Sequence, residues 1–374
     1  MGKDLIMFHV QEVTFGEKLF DAFIDLPYQL YQNDPLWIPP LKHSQIALFH
    51  PDLNPFFQHA KVKYFVGLNQ QQEVVGRIAA FIDNNRLDFL EKKIGCFGFY
   101  ECINDQLLAK LLYQSAETFL KDEGIKIIQG PMQFNIYTGY RFQVGGFDYA
   151  PFMGDVRNFP YYQTQCEQNG YHQEKKWESA HLTKEIILDK MKLIKPAYEL
   201  CLKLGFTFKS IKPEEMESFL PQFAPLALEI FAENYGYSKI TVEEFLHFFK
   251  PSLLLVTPGS FAAAYDKNGE LAGFIYNYFD VADIFRKMQG DASKLSLMAN
   301  RQFSHIILHT YGVSKKYRAK LPVVYAVTYF SLKAMNMEEF QGTGLVALAR
   351  CEIKKMYDDY KKGDTFYAIY QKEI

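Results

Sequence analysis

Apolar residues change their period along this chain, and each change marks an element. Phe8 to Val13 reads as a short strand, and Leu19, Phe20, Phe23, Leu26 and Leu30 then recur at helical spacing from about Glu17 to Gln32. Asn33-Asp34-Pro35 stops that helix. Strands are predicted near Tyr64–Leu68, Val74–Ile82 and Gly95–Tyr100. The last runs directly into a helix from about Asp105 to Lys121, with Leu107, Leu108, Leu111, Leu112 and Phe119 as its apolar stripe. Asn104 or Asp105 is its expected N-cap and Gly124 its terminator. The strand Ile125–Gln129 follows at once, so this segment is a βαβ unit with a right-handed crossover and a partly parallel sheet. A helix near Tyr161–Asn169 and a strand from about Lys176 to Thr183 close the first half.

The second half repeats the order. A strand near Thr207–Ile211 precedes helices near Pro213–Tyr235 and Val242–Phe249, and a hairpin turns on Asn268-Gly269. After a polar insertion from about Ala282 to Arg301 come the strand Ile306–Val313 and a helix from about Pro322 to Ala334. A last helix is expected near Val346–Lys361, then a terminal strand Thr365–Gln371. Tyr64–Asp83 lies without a gap over Phe261–Asp280 at a constant offset of 197 residues, Glu73 meeting Glu270 and Gly76 meeting Gly273. A self-match at about half the chain length points to two copies of one domain. The expected division is 1–190 and 205–374, with 191–204 as linker, in a mixed-sheet α/β (α+β) architecture.

Composition narrows the function classes. A formal charge of −2 with interspersed signs offers no concentrated basic face, so no nucleic-acid partner is expected. Residues 1–13 lack a signal-peptide pattern and no window has about 18 uninterrupted apolar residues, so the expectation is a cytoplasmic protein without a membrane span. The five cysteines form no CxxC pair, and His305 and His309 fall in the β-favouring run HIILHTYGV, where they are too far apart for easy chelation. No metal is expected. Aromatic residues make up 16% of the chain, which suits a packed core or, alternatively, the lining of a site for a hydrophobic acyl chain or aromatic acceptor.

A hairpin, a strand entering a helix, and a parallel strand together resemble the GNAT acyl-CoA N-acyltransferase fold. The resemblance covers both halves and extends to the double-unit, YghO-like bacterial proteins. Its carriers are DPLWIPPL, NPFFQHA, VVGRIAAFIDNN, FGFYE and NFPYYQTQCEQNGY in the first half, and the hairpin with YGVSKKYRAKL in the second. It implies two tandem GNAT-like domains, acetyl-CoA or another acyl-CoA as co-substrate, and acyl transfer to a small-molecule amine or amphipathic acceptor. A catalytically inactive binding scaffold and an aminoacyl-tRNA-dependent transferase remain as alternatives.

The resemblance also implies a pyrophosphate-binding loop after the fourth strand, built from backbone N–H groups at a helix start. The matching segment follows Val313 and contains Arg318, Ala319, Lys320, Leu321 and Val323. Arg318 fits the first position of the family pattern, whereas Leu321 and Val323 occupy its small-residue positions and Pro322 supplies no N–H. The equivalent place in the first half, Tyr100–Asp105, has no glycine and two acids. By position, Glu101 and His309 are candidate bases, and Tyr161 and Tyr162 are candidate acids for the departing thiolate. Each has a structural alternative: Glu101 as a helix-start charge, His309 as a core histidine, the tyrosines as packing anchors.

Overall fold

A computed structural model describes residues 8–87, 93–299, 303, 305–318, 320–340, 345–350 and 364–374. It divides into two compact units, Met1–Trp177 with Ala282–Ala299 and Thr365–Ile374, and Glu178–Val281 with Asn300–Asp364.

The first unit opens with β1 (His9–Val13), α1 (Lys18–Leu30) and α2 (Lys42–Phe49), followed by the antiparallel strands β2 (Ala60–Leu68), β3 (Val74–Leu87) and β4 (Lys93–Cys102). Helix α3 (Gln106–Asp122) returns the chain to β5 (Ile127–Gly130), which is parallel to β4. Its start is fixed by Asp105, whose Oδ1 accepts from the Leu108 N–H at 3.0 Å. Strand β6 (Phe142–Gly145), helix α4 (Tyr161–Gln168) and strand β7 (His172–Leu182) follow, β7 passing across the unit boundary.

In the second unit, α5 (Lys184–Lys203), β8 (Thr207–Ser210), α6 (Met216–Phe231) and α7 (Val242–Phe249) lead to the hairpin β9 (Phe261–Tyr265) and β10 (Leu271–Phe279). Helix α8 (Ala282–Met288) belongs to the first unit. The second continues with β11 (His305–Val313), α9 (Val323–Ala334) and β12 (Leu345–Arg350), and the chain ends in β13 (Thr365–Glu373).

Several expectations shift. Residues 191–204, expected as a linker, lie almost wholly within α5, whose Ile187, Met191 and Ile194 are buried in the second unit. The helix expected at Val346–Lys361 begins instead as strand β12, parallel to β11, and residues 351–361 lie outside the described residues. The terminal strand joins the first unit. There β13 pairs antiparallel with β5 and β6, and its Ala368 and Tyr370 are buried with Phe97, Leu112, Tyr113 and Phe142. In the second unit the corresponding place beside β12 is taken by residues 178–182 of β7. The strands of each unit are thus joined by one from the other half of the sequence. Among the described residues, no helix is long and apolar enough to cross a membrane.

The repeated hairpin has one turn chemistry in both copies. Asn69 Oδ1 accepts from the N–H groups of Gln71 and Glu73 at 3.0 and 2.9 Å, and Asp266 Oδ1 accepts from those of Asn268 and Glu270, both at 2.9 Å. The left-handed position that follows is Gln72 (φ 63°) in one copy and Gly269 (φ 80°) in the other. A side chain there meets its own backbone, which costs about 1–2 kcal/mol. Gln72→Gly is therefore expected to raise stability by about 1 kcal/mol and Gly269→Ala to lower it by about as much, read from urea-denaturation midpoints.

Candidate functional site

Strand β4 carries an irregularity that decides where its side chains point. Arg77 of β3 pairs with Glu101 and Ala79 pairs with Gly98, so Phe99 and Tyr100 together face the single residue Ile78. Phe99 has φ 50°, a left-handed conformation rare for a side chain of that size. Gly98 is needed because a Cβ there would stand 1.6 Å from the carbonyl oxygen of Met132. The parallel pairing of β4 with β5 covers Gly95 with Ile128 and Cys96 with Gln129.

Beyond the bulge, Glu101 sits in a closed polar group. Its Oε2 accepts from the hydroxyls of Tyr31 at 2.9 Å and Tyr162 at 2.7 Å, while Oε1 lies 4.0 Å from Arg77 Nη2. Arg77 also donates to the Phe23 carbonyl at 2.6 Å and lies over the Phe23 ring at 4.8 Å. Tyr162 accepts from the Cys102 N–H at 3.0 Å, and Tyr161 donates to the Cys102 carbonyl at 2.9 Å. The ring of Tyr31 is held between Trp37 and Phe159, at centroid distances of 5.1 and 4.5 Å. The passages DPLWIPP and NFPYY thus supply the walls that orient Tyr31 and Tyr162.

The electrostatics follow from burial. Only 16% of the Glu101 side chain and 6% of that of Arg77 is exposed. Desolvation raises the Glu101 pKa, with Arg77 and the two hydroxyls pulling the other way. Burial also lowers the Arg77 pKa and raises those of Tyr31, Tyr161 and Tyr162, so the phenols hold their protons at neutral pH. The arrangement is a largely desolvated carboxylate beside a guanidinium, accepting from two protonated phenols.

Arg77 and Tyr31 were not singled out from the sequence. The available signal was the repeat itself: Arg77 stands in a strand of buried apolar residues exactly where the other copy has Phe274.

Of the expected site residues, the structure brings Glu101, Tyr161 and Tyr162 together. The others lie in the second unit. His309 is the extra residue of a smaller bulge in β11, exposed, with Nδ1 2.6 Å from Thr310 Oγ1 and its ring 5.4 Å from that of Tyr278. It is not the counterpart of Glu101. Phe274 pairs with Gly312 as Arg77 pairs with Glu101, so the second unit has phenylalanine and glycine where the first has an ion pair.

The loop after β11 uses its own donors. Lys315 N–H donates to Glu229 Oε1 at 2.9 Å, those of Tyr317 and Arg318 to the Ser314 carbonyl, and those of Lys320 and Leu321 to the Tyr317 carbonyl. Arg318 pairs with Glu233, as does Lys315 at 3.1 Å, and Lys316 pairs with Asp266 and Glu270 at 3.2 and 2.6 Å. Lys320 is exposed, Val313 and Val323 are buried in the second unit's core with Leu321 packed on it, and Ala319 lies outside the described residues. Among the described residues, no group of three or more His, Cys, Asp or Glu side chains is placed to hold a metal ion.

No protein-family model matches the chain. It is 34% identical over 154 residues to the protein YghO of Escherichia coli K12, a match covering 40% of this chain and 38% of that one. It is 33% identical over 150 residues to a bacterial ceramide synthase of Caulobacter vibrioides, covering 40% and 39%. The matches therefore span about two fifths of each curated relative. Across 98% of both chains the structure superposes on a tandem GNAT protein from the clavulanic acid biosynthesis pathway with a TM-score of 0.57 and 10% identity. The chain has the tandem GNAT fold.

The Arg77–Glu101 contact makes a stability prediction. Arg77→Met leaves a buried carboxylate without its counter-charge and is expected to cost about 3 kcal/mol at pH 7. Losing the cation raises the folded-state pKa of Glu101 further above its unfolded value. The penalty is therefore full above the folded pKa and fades as pH falls toward the ordinary carboxylate range. Urea denaturation at pH 5 and 7 should show that convergence, and adding Glu101→Gln should abolish the pH dependence of the difference.

Proposed function

We propose that this protein is an acyl-CoA-dependent N-acyltransferase whose chemistry is carried by the first unit. The observation that carries the reading is the buried Glu101 carboxylate at the β4 bulge, with Arg77 beside one oxygen and two tyrosine hydroxyls donating to the other. Glu101 accepts a proton from the acceptor amine as its nitrogen forms a bond to the thioester carbonyl carbon. The C–S bond then breaks, and Tyr161 supplies the proton with which the CoA thiolate leaves. Arg77 and Tyr162 position the carboxylate, and the proton taken up by Glu101 returns through solvent to the Tyr161 phenolate, so neutral amine and thioester become amide and thiol with no net proton released.

On this reading the second unit is a scaffold. Phe274 and Gly312 in place of the ion pair, and the matching of Lys315, Lys316 and Arg318 by Glu233, Asp266 and Glu270, favour that assignment. The likeness to a bacterial ceramide synthase supports testing long acyl chains and amphipathic amines first.

Calorimetry with acetyl-CoA and long-chain acyl-CoA, followed by thiol release over an amine panel, tests the proposal. Binding of a CoA thioester and amine-dependent thiol release are expected, with Glu101→Gln lowering kcat/KM by about 10²- to 10⁴-fold. The wild-type rate should rise with pH through a value above the ordinary glutamate pKa, and that limb should vanish in the variant. No heat from any CoA species would leave the non-catalytic binding scaffold in its place.

A further inference from the structure

Just past the carboxyl end of β5 the chain folds back on itself. Met132 bridges Tyr140 in antiparallel fashion, and the Arg141 N–H donates to the Pro131 carbonyl at 2.8 Å. Arg141 adopts φ 75°, a left-handed backbone disfavoured for any residue with a Cβ. Its guanidinium carbon lies 4.5, 5.0 and 5.8 Å from the ring centroids of Tyr367, Tyr140 and Trp177. Rings cover the faces of a guanidinium but occupy none of its N–H donors, which project from the edge.

Among the described residues, nothing accepts from those donors. Nε is buried without a hydrogen-bond partner, and among the described residues no carboxylate pairs with Arg141. The other described arginines of the first unit are all engaged. Arg77 faces Glu101, Arg86 donates to Cys96 Sγ and Gln129 Oε1, Arg157 forks onto Asp34, and Arg286 donates to two carbonyls and Asp283. A cation held in a left-handed backbone among aromatic rings, with unpartnered donors, suits a planar or tetrahedral oxyanion bound through two parallel N–H donors. Its place is also apt. The Met132 carbonyl packs against Gly98 of the β4 bulge, so Arg141 stands at the carboxyl end of the parallel β4–β5 pair, the edge where such sheets present ligands.

We propose that Arg141, with Tyr140, Trp177 and Tyr367, forms an oxyanion subsite, and that the acceptor amine bears a carboxylate or a phosphate. The substrate assignment rests on the acyltransferase reading; the subsite does not.

The chain has two tryptophans, Trp37 and Trp177, so fluorescence in a Trp37→Phe background reports on the Arg141 cage. The full chain is titrated with acetate, inorganic phosphate and, as the neutral control, acetamide. A saturable response to acetate or to phosphate is expected, with none to acetamide, and the responding anion identifies the group. Arg141→Gln should weaken it about 10- to 100-fold, and Arg141→Lys, which keeps the charge but loses the fork, should fall between. Should the Gln variant fail to fold, the Lys variant carries the comparison. An equal midpoint in the variants, an equal response to acetamide, or no saturable response to either anion overturns the proposal. Thiol release is scored separately: anion binding without release from acyl-CoA supports the subsite and removes the acyltransfer reading.

Discussion

The candidate site depends on the two-for-one bulge in β4. Because Phe99 and Tyr100 face only Ile78, every residue beyond them is displaced by one position relative to a regular ladder, and Glu101 meets Arg77. Without the extra residue the carboxylate would move to the other face of the sheet. The bulge carries a left-handed phenylalanine, and Phe99 packs at 4.7 Å against Phe134, itself left-handed at φ 72°. Such backbone strain persists only where surrounding packing over-determines it, and the aromatic residues Phe49, Phe56, Phe81 and Phe134 supply that packing. The high aromatic content thus reads first as support for a strained strand.

Duplication has left two copies with different chemistry on one plan. In each, a strand enters a helix through a bulge. In the first unit the bulge is followed by an ion pair and by a helix whose N-terminus is capped by Asp105. In the second, glycine and phenylalanine stand in the paired positions, the N–H groups of Lys315, Tyr317, Arg318, Lys320 and Leu321 already have protein acceptors, and Lys315, Lys316 and Arg318 meet acidic partners. The loop around Arg318 carries positive charge and fits the first position of the family's phosphate-loop pattern. Charge counts do not show that Glu233, Asp266 and Glu270, distant in sequence, arrive to neutralise it.

Much of the fold was legible. Helices α1, α3, α4, α7 and α9 and the hairpins fall close to their expected positions, because apolar period, caps and turn residues are local properties. The Asn268-Gly269 turn was readable for the same reason, and the repeat extended it to Asn69 and Gln72. The site was half legible: Glu101, Tyr161 and Tyr162 came from position in a resembling fold, whereas Tyr31 and Arg77 reach Glu101 across 70 and 24 residues of chain.

The sequence by itself determined the repeat, the βαβ order and the turn chemistry, since each is written in residues a few positions apart. Only the tertiary structure decided that β13 joins the strands of the first unit and residues 178–182 those of the second, that β12 is a strand, and that Arg77 faces Glu101. Strand partners and buried ion pairs are chosen by which distant surfaces lose water together, and that choice leaves no local pattern in the chain.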